Sequence, residues 1–254
     1  MKNIFYLFLI LSVFTSCKGY KEVAYFQNLK GQDLIEEEIK NYPPIKIQRD
    51  DILDITVTSR NPEATALYNS NAASSASSGG KSSGSGSPGY LVDQNGTIQL
   101  PSLGAVKVEG LTTAEARILI QEKLTTYLTE PIVNLRITNF KISIIGDVGS
   151  PGVYPIQSEK VTVVEALSMA GDLTITAMRK NILLVRESGG KRQYVRLNLK
   201  DKEIFNSPYF YLQPNDALYI QPTDAKYAAV DTFTRNIGLV LSVISIGLVI
   251  LTQF

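Results

Sequence analysis

The sequence contains no histidine and only one cysteine, Cys17, among its 254 residues. Histidine is the commonest general base and metal ligand in proteins, so its absence removes the most frequent forms of acid–base and metal chemistry. A single thiol forms no disulfide within the chain and no zinc site built from thiolates. We therefore predict that the chain is not an enzyme and has no catalytic, metal-binding or cofactor-binding residue.

An excess of charge of one sign is also missing. The chain has 25 lysines and arginines against 24 aspartates and glutamates, which gives a formal net charge of +1. Proteins that bind nucleic acid usually carry a clear basic excess, and solvating tails carry an acidic one. The balance therefore argues against nucleic acid as a partner.

The first apolar run is too short to span a bilayer. Lys2 precedes Ile4–Phe14, a stretch of about 11 residues, which is the length of the apolar region of a signal peptide. Two small residues then directly precede Cys17, as in a bacterial lipobox, although Phe14 stands where leucine is usual. We predict a lipoprotein signal peptide at residues 1–16 and a covalent lipid on the sulfur of Cys17. The alternative is an ordinary signal peptide followed by an incidental cysteine.

A second apolar run, Ile237–Leu251, follows the charged side chain of Arg235. As a helix, residues 236–254 would extend roughly 27 Å, which approximates the thickness of a thin outer membrane. We predict a single C-terminal transmembrane helix at residues 235–254, with Arg235 at the membrane edge. The alternative is a helix buried in the core of the soluble body.

Small and hydroxylic side chains recur in this second run at helical spacing, which places them on one face of a helix. The stripe consists of Gly238, Ser242, Ser245, Val249 and Thr252. Because small residues let membrane helices approach closely, the stripe is a candidate helix-packing face. Alternatively, it lines a water-filled pore, which requires a ring of several copies of the chain.

Two stretches of the body are too polar to form a core. Residues 17–44 are predicted to be an N-terminal tether. The tract at residues 69–89 consists almost entirely of Asn, Ala, Ser and Gly. Such a tract buries too little apolar surface to offset its ordering entropy, so we predict a flexible insertion within a domain.

Local signals in the rest of the body predict turns and helix ends. Asn95-Gly96 predicts a two-residue hairpin turn, and Ser188-Gly189-Gly190 predicts another. Two Thr-x-x-Glu patterns, Thr112–Glu115 and Thr162–Glu165, predict helix starts. Gly171 is placed to end the second of these helices. Strands flank both helices in the predicted order, so the fold class is α+β.

Short motifs rich in glycine, proline and aspartate follow one another along this body. Those of the first half are Arg49–Leu53, Gly89–Asp93, Gly96, Leu100–Gly104, Gly110–Thr112 and Pro131–Val133. Those of the second half are Gly146–Tyr154, Glu165–Leu167, Ala170-Gly171 and Pro214–Asp216. In number and order they resemble the polysaccharide biosynthesis/export family, the Wza-type outer-membrane export proteins.

The resemblance implies an export domain at residues 45–140 and one soluble-ligand-binding β-grasp module at residues 141–222, ahead of the transmembrane helix. It implies a lipid-anchored protein of the bacterial outer membrane with its soluble domains in the periplasm. Copies of the chain would form a homo-oligomeric ring with a C-terminal helical barrel, through which capsular polysaccharide or exopolysaccharide passes passively. An inner-membrane polysaccharide co-polymerase with tyrosine kinase activity is the implied partner.

Two other functions remain open. The first is a periplasmic sugar-binding or structural adaptor lipoprotein that docks on a separate outer-membrane barrel, with the terminal helix as a second anchor. The second is a glycan-active enzyme that uses carboxylates or lysines, for which no residue can be nominated. In all three cases most glycines, prolines and aspartates of the motifs have structural roles in turns.

Overall fold

The computed structural model describes residues 23–29, 34–39, 44–73, 89–228, 238 and 241–247. Within these ranges the buried apolar side chains form two clusters, one drawn from residues 47–135 and the other from residues 140–220. Each cluster is the core of one domain. We refer to the part of the fold around the 47–135 cluster as the first domain and to the part around the 140–220 cluster as the second domain.

The first domain combines two small sheets with two helices. In chain order its elements are β1 (Ile52–Thr58), α1 (Pro62–Ala73), β2 (Tyr90–Leu91), β3 (Thr97–Leu100), β4 (Gly104–Lys107), α2 (Thr113–Leu124) and β5 (Ile132–Ile137). One sheet has the strand order β2–β1–β5, and β3 and β4 form the other. Every pairing in the two sheets is antiparallel.

Sequence periodicity explains the core of the first domain. Strand β1 buries alternate side chains, and α2 buries side chains spaced four residues apart against the same cluster. These side chains are Leu53, Ile55 and Val57 from β1 and Ala116, Ile120 and Leu124 from α2. The residues of β1 that lie between them, Asp54 and Thr56, point to the opposite face of the sheet.

The second domain contains a five-stranded sheet. Its elements are β6 (Lys141–Gly146), β7 (Gly152–Pro155), α3 (Val163–Met169), β8 (Ala177–Ser188), β9 (Lys191–Leu197), a 3₁₀ helix (Lys202–Asn206), β10 (Ala217–Pro222) and α4 (Asp224–Ala228). The strand order is β7–β6–β10–β8–β9, in which β10 pairs parallel with β6 and antiparallel with β8. A further 3₁₀ helix, Gln27–Leu29, precedes both domains.

Both predicted helix starts are confirmed. At the start of α2 the Glu115 N–H donates to the Thr112 hydroxyl (3.2 Å), and the Thr112 N–H donates to the Glu115 carboxylate (2.8 Å). At the start of α3 the corresponding distances for Thr162 and Glu165 are 3.1 and 2.7 Å. Each of these reciprocal pairs is a capping box, which satisfies two N–H groups that the helix leaves without a partner.

Two glycine predictions are also confirmed. Gly171 has φ +74° and follows α3; its N–H donates to Ser168 O (3.1 Å), and the next N–H, of Asp172, donates to Leu167 O (2.9 Å). This pair of bonds is a Schellman ending, which favours glycine. The β8–β9 hairpin turns through Gly189 and Gly190, both with positive φ.

The predicted hairpin around Asn95-Gly96 is wrong. Strand β2 pairs with β1 and strand β3 pairs with β4, so the two segments on either side of the turn belong to different sheets. The Asp93 carboxylate closes the turn, since it accepts the N–H groups of Asn95 (2.9 Å) and Thr97 (2.8 Å). Backbone bonds from Asp93 N–H to Thr97 O (2.9 Å) and from Gly96 N–H to Asp93 O (2.8 Å) also close it. The turn therefore forms, but the strands on either side of it do not pair as the sequence predicts.

A buried ion pair lies under the loop before β10. Arg186 and Asp216 are both almost fully buried, and the guanidinium binds the carboxylate through Nε (3.0 Å) and Nη2 (2.7 Å). The same guanidinium donates to Tyr211 O at 2.9 Å, and the Gln213 N–H donates to the carboxylate at 2.7 Å. Burial raises the pKa of Asp216, and Arg186 opposes that rise.

The prediction of a single membrane-spanning helix at residues 235–254 is wrong. None of the helices in the described part of the chain combines the length and the apolarity needed to cross a membrane. The helical residues described in that segment are 238 and 241–247, and a spanning helix requires roughly 20 consecutive apolar residues. Apolar composition favoured the prediction, but the described helix does not have the length.

Several other predictions fall wholly or partly outside the described residues. The signal peptide at residues 1–16 and the lipidation site Cys17 lie outside them, as do residues 74–88 of the predicted insertion. Helix α1 continues to Ala73 and so includes the first positions of that tract. Of residues 17–44, the structure describes 23–29, 34–39 and 44.

Candidate functional site

Three members of the predicted stripe lie in described helical positions, namely Gly238, Ser242 and Ser245. The Ser245 hydroxyl donates to Ser242 O at 2.9 Å, so these two lie on adjacent turns of one face. Val249, Thr252 and the predicted membrane-edge residue Arg235 lie outside the described residues. Whether the stripe contacts another helix or water stays a prediction.

The described apolar side chains beside the stripe are largely exposed. Leu241, Val243, Ile244 and Ile246 are 52–68% exposed. The alternative of a helix buried in the soluble core is therefore wrong, because such a helix would place at least one of these faces against the fold. These side chains form an apolar surface that is open in a single copy.

Residues 23–29 form a strap that binds the second domain. The N–H groups of Phe26 and Gln27 donate to Leu199 O (3.0 Å) and Lys200 O (2.7 Å). The Phe26 ring lies 4.8 Å from that of Phe205, measured between centroids. The sequence pattern predicts a polar tether in this region, and the aromatic pair Tyr25-Phe26 is the signal for docking that this interpretation missed.

Tyr25 anchors the strap to a charged group. Its hydroxyl donates to Asp172 Oδ1 at 2.5 Å, and the Arg179 guanidinium carbon lies 5.3 Å from the centre of its ring. Burial and the bond to Asp172 raise the pKa of Tyr25, so the hydroxyl stays protonated and remains a donor. Arg179 is itself buried and donates to Thr174 O at 3.1 Å.

Asp172 and Thr174 belong to the loop that connects α3 to β8, residues 171–176, which we call the junction loop. The segment that follows β10 also contacts this loop. The Thr223 N–H donates to Thr176 O at 2.7 Å. Lys226, in α4, donates to the buried carboxylate of Asp147 at 2.6 Å, and the Thr176 hydroxyl donates to its other oxygen at 2.6 Å. The strap and α4 therefore meet the second domain at one place.

Charge stabilises this meeting point. Burial alone would raise the pKa of Asp147, but the bonds from Lys226 and Thr176 outweigh it and lower the pKa below its usual value. The carboxylate is therefore ionised at neutral pH. In the part of the chain that the structure describes, no group of three or more His, Cys, Asp or Glu residues is arranged to hold a metal ion.

A cleft of about 640 Å³ separates the two domains. We call it the interdomain cleft. Its lining comes from β1, the start of α2, β5 and the segment after β7. The polar members are Asp54, Thr56, Thr112, Thr113, Arg117, Asn134, Arg136, Gln157, Ser158 and Glu159. A volume in this range is typical of sites for small molecules.

One wall of the cleft is the open edge of the three-stranded sheet. Strand β5 lies at the end of the order β2–β1–β5. The Thr138 N–H donates to Ile52 O, and backbone groups alternate in direction along an antiparallel strand. The N–H and C=O groups of Leu135 and Ile137 therefore point away from β1 toward the cleft. At the other side of β1, the Asn69 amide closes the edge by bonding the N–H and C=O of Val57, both at 2.9 Å.

Comparison with known proteins identifies both halves of the body. Residues 40–138 match the family described as "Polysaccharide biosynthesis/export protein", and residues 140–220 match the SLBB domain. The "EPS I polysaccharide export outer membrane protein EpsA" of Ralstonia solanacearum is 33% identical over 111 residues. Its counterpart of the same name in Ralstonia nicotianae is 35% identical over 108 residues.

These alignments cover 42% and 41% of this chain, and 29% and 28% of the two relatives, so the aligned region is less than a third of their length. The matched family and the relatives are non-enzymatic transport components, which confirms the prediction that the chain is not an enzyme. The two family matches follow the order of the motifs in the sequence. The chain belongs to the polysaccharide biosynthesis/export family.

Proposed function

We propose that this chain is a subunit of an outer-membrane assembly that exports capsular polysaccharide or exopolysaccharide. The observation that carries the proposal is the tandem match of an export domain and an SLBB domain in one chain. The names of the two Ralstonia relatives support the same process and the same location.

In this proposal the conduit is a homo-oligomeric ring and transport through it is passive. A polymer must be enclosed on all sides while it crosses the periplasm and the outer membrane. The two small domains lie one after the other and each has a filled core, so one copy does not surround a polymer. A closed ring built from identical, heterologous contacts supplies the enclosure. Energy would come from an inner-membrane co-polymerase with kinase activity.

The strap supports a specific orientation of the ring if Cys17 carries the predicted lipid. Tyr25 follows Cys17 by eight residues, a distance of at most about 29 Å in a fully extended chain. Tyr25 binds the junction loop of the second domain through Asp172. The second domain therefore lies next to the membrane, and the first domain lies farther away, toward the inner-membrane partner.

Lipidation itself has a direct test. Replacing Cys17 with alanine removes the only thiol in the chain. We expect metabolic labelling with an alkyne fatty acid to mark the wild-type protein and to leave Cys17→Ala unlabelled. A Ser16→Ala variant, which keeps a small residue before the thiol, is the control and should be labelled. Full labelling of Cys17→Ala would show that the anchor is elsewhere.

The second candidate function is an adaptor that binds sugar and docks on a separate outer-membrane pore. The polar interdomain cleft favours it, because that cleft exists in a single copy. Deletion of the chain should reduce surface polysaccharide under both proposals, and unchanged export after deletion would exclude both. Electron microscopy of detergent-extracted complexes separates the two: a closed ring with a lumen supports the conduit, and isolated monomers support the adaptor.

A further inference from the structure

We propose that the interdomain cleft is a binding subsite for a carboxylate-bearing sugar unit, such as a uronic acid, with Arg117 as the partner of the carboxylate. This inference rests on the proposed function, because it assumes that a polysaccharide is the cargo. It goes further by assigning a chemical class of sugar and the side chains that bind it.

Three exposed polar side chains of the cleft are available to bind a ligand. Within the described ranges, Arg117, Asn134 and Gln157 have no hydrogen-bond or ion-pair partner, although all three line the cleft. They come from α2, β5 and the segment after β7, so both domains contribute polar side chains to the lining. An amide offers both donors and acceptors, and a guanidinium offers five N–H donors. Such a set matches the many hydroxyl groups of a saccharide.

The open sheet edge adds backbone groups to this set. Leu135 and Ile137 direct N–H and C=O groups toward the cleft, where no backbone partner among the described residues receives them. The strand that presents them is held firmly, since the Leu135 side chain is buried in the core and β5 pairs with β1 along its full length. Fixed donors and acceptors cost little ordering entropy when a ligand binds.

The four charged side chains of the cleft sum to zero, and the preference for an acidic sugar rests on one cation, Arg117. Two of the four partly offset each other, because Arg136 Nη2 lies 3.4 Å from Asp54 Oδ2. Glu159 accepts a hydrogen bond from the Thr113 hydroxyl at 3.3 Å. The remaining cation of the cleft is Arg117, and no carboxylate among the described residues forms an ion pair with it. A planar guanidinium binds a carboxylate through two parallel hydrogen bonds, which a neutral sugar does not offer.

A polypeptide strand is the other occupant that an open sheet edge fits. A strand added to a sheet needs pockets for its alternate side chains. The cleft instead presents hydroxyl, amide, carboxylate and guanidinium groups, and Phe140, the one aromatic residue in its lining, is buried. The lining therefore favours a saccharide over a peptide.

Titration calorimetry on the full chain in detergent tests the subsite with two probes of equal length, trigalacturonate and its methyl ester. We expect trigalacturonate to bind more tightly than the uncharged ester, and added salt to reduce the difference. Arg117→Gln should weaken trigalacturonate binding by about tenfold or more and leave the ester nearly unchanged. Gln157→Ala should weaken both probes, because it removes an amide from the second domain's side of the cleft.

The matched control is Arg60→Gln in the same domain. Arg60 is an exposed arginine that pairs with Glu130 and is not part of the cleft lining. Equal binding by Arg117→Gln and Arg60→Gln, or equal affinity for acid and ester, would overturn the proposal. A third outcome would also overturn it. If an oligomer binds neither probe, and the amides of Leu135 and Ile137 resist hydrogen exchange in the absence of sugar, then a polypeptide strand occupies the sheet edge. Each of these failures leaves the export proposal standing, since that proposal is tested by deletion and imaging.

Discussion

The second domain buries four charged side chains among its described residues, whereas the first domain buries one, Asp51. Three of the four in the second domain connect parts of the chain that are far apart in sequence, whereas Arg179 donates to nearby backbone carbonyls. Arg186 binds Asp216 across 30 positions, and Asp147 binds Lys226 across 79. These pairs hold the loops and the incoming segments in place.

The buried acid of the first domain has a different environment. Asp51 accepts the Gln48 N–H at 2.8 Å, and no described cation lies within ion-pair distance of it. Burial raises its pKa to about 6. The second domain thus uses ion pairs to fix its geometry. The first domain instead carries one unpaired buried acid, and ionisation of that acid destabilises the folded state.

Breaking the buried pair of the second domain should have the largest effect. Asp216→Asn leaves the Arg186 guanidinium buried without a counter-charge, and we expect the free energy of unfolding to fall by about 3–5 kcal/mol. Urea unfolding followed by circular dichroism measures the loss, and hydrogen exchange of β8 and β10 locates it. Glu187→Gln, which breaks an exposed pair with Arg192 in the same hairpin, is the control and should change little. Equal losses in both variants would show that burial does not set the strength of these pairs.

Removing the unpaired acid of the first domain should have an intermediate effect of opposite sign. Because the pKa of Asp51 is raised on folding, the wild-type protein loses stability as pH rises from about 4 to about 6, and the loss persists above that range. Asp51→Asn removes this loss, so its advantage over wild type should grow across the window by about 3 kcal/mol.

Urea unfolding at several pH values measures the Asp51 effect. Asp50→Asn, a change at an exposed neighbour whose φ of +66° asparagine tolerates, is the matched control and should keep most of the wild-type pH dependence. An Asp51→Asn curve parallel to that of wild type would mean that the acid is not the source of the pH dependence.

Weakening the strap should have the smallest effect. Tyr25→Phe keeps the ring over Arg179 but removes the hydrogen bond to Asp172, which should lower the strap's stability by about 1 kcal/mol. Hydrogen exchange at the Phe26 and Gln27 amides should become several-fold faster, with little change elsewhere. Tyr127→Phe, at an exposed tyrosine of the first domain, should leave these rates unchanged. Unaltered exchange in Tyr25→Phe would show that the backbone bonds alone hold the strap.

Local features of this fold could be predicted from the sequence. The capping boxes at Thr112 and Thr162 and the ending at Gly171 depend on residues within one turn of each other, so the signal and the structure lie together. The Asn95-Gly96 hairpin failed because β1 competes for β2, and β1 lies more than 30 positions earlier. The turn propensity of Asn95-Gly96 contains no information about whether β2 pairs with β1 or with β3.

The parts of the candidate site that escaped prediction are all non-local. Tyr25 meets Asp172 across 147 positions, and the interdomain cleft brings Arg117 together with Asn134 and Gln157. The pair Tyr25-Phe26 is a weak local signal for docking, whereas Arg117, Asn134 and Gln157 have no neighbour in sequence that marks their role. Apolar composition over residues 235–254 was also insufficient to predict a spanning helix, since none of the described helices is long and apolar enough to cross a membrane.

The position of β10 has a consequence for how the chain is made. It is the last strand of the second domain in sequence, yet it lies between β6 and β8 in the sheet. The β6–β7 and β8–β9 hairpins therefore share no backbone bonds until β10 arrives. During synthesis or secretion from the N-terminus, this sheet cannot close before residues 217–222 emerge, and such non-local closure is slow. The five-stranded sheet of the second domain therefore stays incomplete until the last of its strands, residues 217–222, is available.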